Sequence, residues 1–185
     1  MIATGNLNTS LENGTPSFLP LLLSMEVGDT AEKVVGYILG DETRNSDFLV
    51  VMDVHRKWCG PTTVIHPTLN TLLLDVIDYK HKVALISVSS EELTEWMNDN
   101  HVMKKGKNLA SLFSPSEKKK VMDEMKNKEN TCKSSILFFK VSPLTKSENP
   151  VVLSNIIVGV DAVQIPKVFQ KLMEEGHFSC PSSEN

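Results

Sequence analysis

The chain has 185 residues, of which 41% are hydrophobic, and a formal net charge of -4. This length and composition suit one domain with a buried core, and the weak negative charge gives no general attraction to nucleic acid or to an anionic membrane. No apolar run reaches the roughly 20 residues of a membrane span, and no secretory signal begins the sequence. We therefore expect a cytoplasmic protein without membrane contact.

The first half of the chain predicts strands alternating with helices. Residues 48–54 form a nearly continuous apolar run, typical of a strand buried on both faces. The strand, helix and strand that follow one another here predict a right-handed parallel crossover. The predicted elements are, in chain order, a flexible arm over residues 1–17, a strand within residues 19–27, a capped helix over residues 30–40, the central strand, a helix with its apolar face over residues 69–77, and a strand over residues 83–88.

The second half predicts two capped helices, then two strands and a last helix. Ser89 with Glu92, and Ser114 with Glu117, have the spacing of capping boxes, and Pro115 suits a first helical position. Strands are predicted over residues 136–141 and 152–158, and a helix over residues 165–173. The predicted domain spans residues 18–176, with an enlarged lysine-rich helical connection over residues 89–134 and a polar tail over residues 177–185.

A short motif follows the central strand. The turn Trp58-Cys59-Gly60-Pro61-Thr62 has an acid, Asp53, six residues before its cysteine and Pro67 eight residues after it. This pattern resembles the WCGPC turn, buried acid and helix proline of the thioredoxin family. Residues 136–140 resemble the fourth strand of that family, and residues 158–159 resemble the glycine bend before its last helix. The resemblance implies an α/β, thioredoxin-like fold with a central mixed β-sheet flanked by α-helices.

Two positions depart from that family. Thr62 stands where the family has its resolving cysteine, and Ser134 stands where it has a cis-proline. A cis bond before a residue other than proline costs about 2.5 to 4 kcal/mol, so we expect a trans Lys133–Ser134 peptide. Cys132, two residues before Ser134, is similar to a cysteine in divergent thioredoxin-like proteins of cilia and sperm tails. That narrower resemblance implies a place in a cilium or flagellar axoneme.

The three cysteines, Cys59, Cys132 and Cys180, are an odd number without a CxxC pair, which favours a reducing compartment over a disulfide scaffold. The spacing of His55 and Cys59 would allow both to bind one metal ion, but the favoured interpretation is that they bind none. We expect no metal and no cofactor.

The function hypotheses divide over Cys59. A monothiol oxidoreductase would use Cys59, with Asp53 assisting proton transfer and an external thiol releasing the product. The favoured alternative is a redox-degenerate subunit that binds proteins, because the second cysteine and the proline of the family are both missing. Cys132 as a remote resolving thiol is given little weight, since the sequence cannot place it within the roughly 7 Å that a disulfide requires. A redox sensor is the third hypothesis.

A lysine-rich segment is the candidate docking surface. Residues 101–133 contain nine lysines and four acidic residues, a net of +5, which leaves -9 for the rest of the chain. Lys118, Lys119 and Lys120 would contact an acidic protein partner through weak surface pairs, although a merely solvated face is the simpler interpretation. Nucleic acid is disfavoured because Phe113 is the only aromatic residue here. No oligomeric state is predicted.

Overall fold

The computed structural model describes residues 22–24, 47–60, 65–74, 82–98, 109–127, 131–143 and 150–175. The predicted arm, the helix over residues 30–40 and the polar tail lie outside these ranges. The described strands and helices are, in chain order, β1 (Leu22–Ser24), β2 (Phe48–His55), α1 (Ile65–Leu74), β3 (Val83–Ser89), α2 (Ser90–Trp96), a 3-10 turn (Leu109–Leu112), α3 (Pro115–Asn127), β4 (Ser135–Val141), β5 (Val151–Val158) and α4 (Gln164–Glu175).

The described strands form one mixed sheet in the order β1-β3-β2-β4-β5. β3 is parallel to β1 and β2, whereas β4 is antiparallel to β2 and β5. β2 lies at the centre and is buried along its whole length, which explains why residues 48–52 are all apolar. This strand order, with helices on both faces, is the thioredoxin-like fold, so the predicted fold class is confirmed.

Alternate residues of the central strands enter two separate hydrophobic clusters, because side chains in a strand point to opposite faces in turn. Val50 and Met52 face the cluster that α2 and α3 cover, whereas Leu49 and Val51 face the one that α1 and α4 cover. The connection between β3 and β4 therefore contributes to the core. Val121 and Met125 of α3 are buried, so the lysines of that helix belong to its outer face.

Serine and aspartate side chains cap the N-termini of α2, α3 and α4. The Ser89 hydroxyl accepts a hydrogen bond from the Glu92 backbone N–H at 3.2 Å and donates to the Glu92 carboxylate at 2.8 Å. Ser114 accepts from the Glu117 N–H at 3.3 Å, and Pro115 is the first residue of α3. Both predicted caps are confirmed. A third cap was not predicted: the Asp161 carboxylate accepts from the N–H groups of Val163 and Gln164 at the start of α4.

Candidate redox site

Buried polar side chains are concentrated at one end of the sheet. Within the described ranges, seven polar or charged residues are buried, and each lies at the carboxyl end of β2 or β3, in the first turn of α2, or at the start of β4. They are Asp53, His55, Ser87, Ser89, Ser90, Ser134 and Ser135. Burying polar groups costs free energy unless they are hydrogen-bonded. This end of the sheet is therefore where the described structure buries polar groups in spite of their cost in free energy.

The predicted active-site turn leaves β2 at this end. The N–H groups of Cys59 and Gly60 both donate to the Arg56 carbonyl, at 2.9 and 3.1 Å. Gly60 has φ +71°, a left-handed conformation that glycine adopts without strain. The Trp58 side chain is 69% exposed, whereas Cys59 is half-buried. Pro61 and Thr62 lie outside the described residues, and Pro67 is the third residue of α1, with an exposed ring.

Glu91, in the first turn of α2, anchors the turn from the side. Its carboxylate accepts a hydrogen bond from the Lys57 backbone N–H at 3.1 Å and lies 3.3 Å from the Arg56 guanidinium. The Ser90 hydroxyl also donates to it, at 3.0 Å. Partial burial acts to raise the pKa of Glu91, but hydrogen bonds from the backbone N–H groups of Glu91 and Lys57, the Ser90 hydroxyl and the Arg56 charge together lower it. The anchor is therefore ionised at neutral pH.

Replacing Glu91 by alanine is expected to loosen the turn. The variant leaves the Lys57 N–H without its acceptor and the Arg56 charge without its ion pair, at a cost of about 1 kcal/mol for so exposed a group. Amide hydrogen exchange at Lys57 should accelerate, and urea unfolding should show the loss. Glu95→Ala on the exposed side of the same helix is the control and should change neither quantity. An unaltered Lys57 exchange rate in Glu91→Ala would contradict the anchor.

Asp53, Ser87 and His55 form a connected polar group beneath the turn. Asp53 and His55 are two residues apart on β2 and therefore share a face, and Ser87 is the register partner of Asp53 on β3. The Ser87 hydroxyl donates to Asp53 Oδ2 at 3.3 Å and lies 3.4 Å from His55 Nδ1. Since Ser87 has a single hydroxyl proton, we assign the Nδ1–H tautomer to His55, which then donates to Ser87.

Burial lowers the pKa of His55 below its usual 6.5, although the nearby carboxylates of Asp53, Glu92 and Glu91 oppose that shift. The unfolded chain therefore binds a proton at His55 more tightly than the folded chain does. The contribution of neutral His55 to the free energy of unfolding is complete above about pH 6.5 and declines as the pH falls toward the pKa of the folded state. We expect His55→Asn to remove this part of the acid sensitivity.

Urea unfolding of wild type and His55→Asn between pH 5.5 and 7.5 tests this expectation. The contributions of the other histidines cancel in the difference between the two free energies of unfolding. The stability advantage of wild type over His55→Asn should shrink as pH falls. An advantage that grew toward pH 5.5 would mean that His55 is stabilised in its charged form.

A disulfide joins Cys59 to Cys132, with their Cα atoms 6.2 Å apart. The bridge spans from the turn after β2 to the segment before β4, strands that are adjacent in the sheet. This corrects one prediction from the sequence. The low weight given to a Cys59–Cys132 approach was wrong, because antiparallel pairing of β2 with β4 brings the two positions together.

Ser134 closes the site next to Cys132. Its side chain is buried, and its carbonyl accepts a hydrogen bond from the Gly159 N–H at 2.7 Å. No peptide bond among the described residues is cis, so Lys133–Ser134 is trans as expected. Gly159 has φ +84° and forms the predicted bend after β5. Val158 and Val160, the neighbours of Gly159 in sequence, both have exposed side chains.

The lysines of the candidate docking surface are only partly available. Lys119 and Lys120 are exposed and Lys118 is half-buried, but Lys120 makes an ion pair with Glu117 at 2.8 Å. Of the nine lysines in residues 101–133, five fall in the described ranges.

The described residues hold no group of three potential metal ligands and no helix long and apolar enough to cross a bilayer.

No protein-family model matches the sequence, and no curated protein matches it. Among solved structures, the chain is similar to the thioredoxin NaTrxh of Nicotiana alata, with 14% sequence identity and a TM-score of 0.38 over 77% of this chain and 86% of that one. The fold assigned above rests on the order and directions of the strands in this structure.

Proposed function

We propose that the chain is a thiol–disulfide exchange protein whose redox pair is Cys59 and Cys132. The observation that carries this proposal is the disulfide between them, at the end of the sheet where the buried polar groups are concentrated. A redox pair needs two thiols within bonding reach, and the fold supplies the second from a distant part of the sequence. The threonine at position 62 is then compatible with a complete redox cycle.

The reaction is a two-electron exchange. The oxidised protein takes two electrons and two protons from a dithiol partner, which becomes a disulfide while Cys59 and Cys132 become thiols; the reverse reaction reduces a partner disulfide. The external resolving thiol of the monothiol hypothesis is no longer needed. Asp53 is proposed to assist proton transfer, as the family resemblance implies, with Ser87 and His55 holding its carboxylate and its surroundings in place.

Turnover with a disulfide-containing peptide tests the proposal. With dithiothreitol as terminal reductant, a Cys180→Ser protein should reduce the peptide faster than dithiothreitol alone. Cys59→Ser and Cys132→Ser, each in the same background, should return the rate to that of dithiothreitol. If Cys132→Ser kept the full rate, the pair would not be the catalytic unit and the monothiol alternative would replace it.

The protein-binding subunit predicted from the sequence is the second candidate function. The observation that favours it is the exposure of three apolar side chains, Trp58, Val158 and Val160, of which Val158 is 59% exposed. Trp58 precedes Cys59, and Val158 is the register partner of Ser135, so these side chains belong to segments that border the disulfide. Exposed apolar surface near a site is typical of protein interaction. In this proposal Lys118, Lys119 and Lys120 steer an acidic partner, and the setting is a ciliary or sperm-tail assembly, as the narrower resemblance implies.

Two results would support this second candidate over the first. Salt-sensitive partner binding should persist in Cys59→Ser and be lost when Lys118, Lys119 and Lys120 are all reversed to glutamate. A tagged chain in ciliated cells should concentrate along the axoneme. Binding that required Cys59, or a tagged chain spread evenly through the cytoplasm, would count against it.

A further inference from the structure

The two sulfur-bearing residues of the disulfide differ in their exposure. Cys132 is exposed and lies between two other exposed residues, Thr131 and Lys133, in a segment that is neither helix nor strand. Cys59 is half-buried, in a tight turn whose N–H groups are bonded to Arg56 and whose flank is fixed by Glu91. A thiolate must reach the sulfur that it attacks, so access selects between the two.

We infer that Cys132 is the outer cysteine of the pair, through which mixed disulfides with protein or peptide partners form, and that Cys59 is the inner cysteine that resolves them. This assignment rests on the proposed function. The resemblance of the WCGPT turn implies the opposite order, in which Cys59 forms the mixed disulfide with the partner.

The exchange with a peptide dithiol then has defined steps. A partner thiolate attacks Cys132 Sγ, the bond between Cys132 and Cys59 breaks, and its electron pair leaves on Cys59 as a thiolate. The second partner thiol, once deprotonated, attacks the partner sulfur of the mixed disulfide and expels Cys132 as a thiolate. The partner leaves oxidised to its own disulfide, and both cysteines of the chain take up a proton.

The surroundings of each cysteine suit these roles. Cys132 is two residues from Ser134, whose carbonyl is fixed by Gly159, so the exposed segment is anchored immediately beyond the sulfur. Val158 and Val160 are exposed around that anchor and offer apolar contact to an incoming peptide. Cys59 sits in a turn held by backbone hydrogen bonds, which keeps its sulfur in place to attack a mixed disulfide on Cys132.

The test is to identify which sulfur a single-thiol probe attacks. Oxidised Cys180→Ser protein is mixed with a peptide that carries one cysteine, quenched with acid at early times, and alkylated. Peptide mapping then locates the probe and the alkyl group. We expect the probe on Cys132 and the alkyl group on Cys59, with a preference of at least about tenfold, because access to the two sulfurs differs. Mercaptoethanol, which is small enough to reach both sulfurs, should show a weaker preference.

The outcomes separate this inference from the function on which it rests. A probe found mainly on Cys59, or equally on both cysteines, would overturn the assignment while leaving the exchange activity intact. If the oxidised protein consumed the probe no faster than oxidised glutathione does, or if Cys180→Ser formed no internal disulfide, the proposed function would itself be wrong. As a second measurement, Cys59→Ser should retain a stable mixed disulfide with an oxidised peptide, because its resolving thiol is missing.

Discussion

Reduction of the Cys59–Cys132 disulfide is expected to lower the free energy of unfolding by about 2 to 4 kcal/mol. The two cysteines are 73 residues apart in sequence, so the bridge closes a long loop in the unfolded chain. Loop-closure entropy for that length gives an upper value of about 4 kcal/mol, and measured disulfides commonly contribute less. The effect is a large fraction of the stability of a typical domain, about 5 to 15 kcal/mol.

Urea unfolding of the Cys180→Ser protein, with and without a phosphine reductant, measures this difference. The matched control replaces Cys59 and Cys132 by serine as well, and its unfolding midpoint should not respond to the reductant. Equal midpoints for the oxidised and reduced Cys180→Ser protein would show that the bridge does not stabilise the fold in solution.

Replacing Phe138 by alanine is expected to cost about 3 to 5 kcal/mol. Phe138 is fully buried in β4, in the cluster that α1 and α4 cover, and its neighbours there include Ile165 and Phe169 of α4. The substitution removes the ring and leaves a cavity between the sheet and that helix. The loss should also disturb the nearby site, because β4 begins at Ser135, directly after Ser134.

Thermal and urea unfolding provide the measurement, and two further variants interpret it. Val152→Ala on the exposed side of β5 should change stability by less than about 0.5 kcal/mol, as surface substitutions usually do. Phe138→Leu keeps an apolar side chain and should fold even if the alanine variant does not, at a smaller cost. If Phe138→Ala were as stable as Val152→Ala, this packing between β4 and α4 would be refuted.

Much of the fold could be predicted from local patterns. The nearly continuous apolar run of β2 predicted a central strand, and the Ser89 and Ser114 caps predicted where α2 and α3 begin, because these signals act over a few residues. The turn at residues 58–62 predicted the location of the site. The Asp161 cap was missed, although an aspartate three residues before the start of α4 is itself a usable signal.

The contacts that make the site are non-local, and they depend on strand register. Val54 pairs with Ser135, and Cys59 and Cys132 lie five residues after the first and three before the second. That register, together with the antiparallel direction of β4 against β2, brings the two cysteines together. Local spacing carries no such information. The hydrogen bond from Lys57 to Glu91 and the contact of Ser87 with His55 likewise follow from the parallel alignment of β2 with β3.

The disulfide also joins two parts of the chain that differ in order of synthesis. Cys59 belongs to the parallel segment with β2 and β3, and Cys132 stands at the entry to the antiparallel segment with β4 and β5. A protease cut between the two cysteines would leave two fragments that remain covalently attached until they are reduced. Electrophoresis of nicked protein with and without reductant would thus reveal which fraction of the molecules carries the bridge.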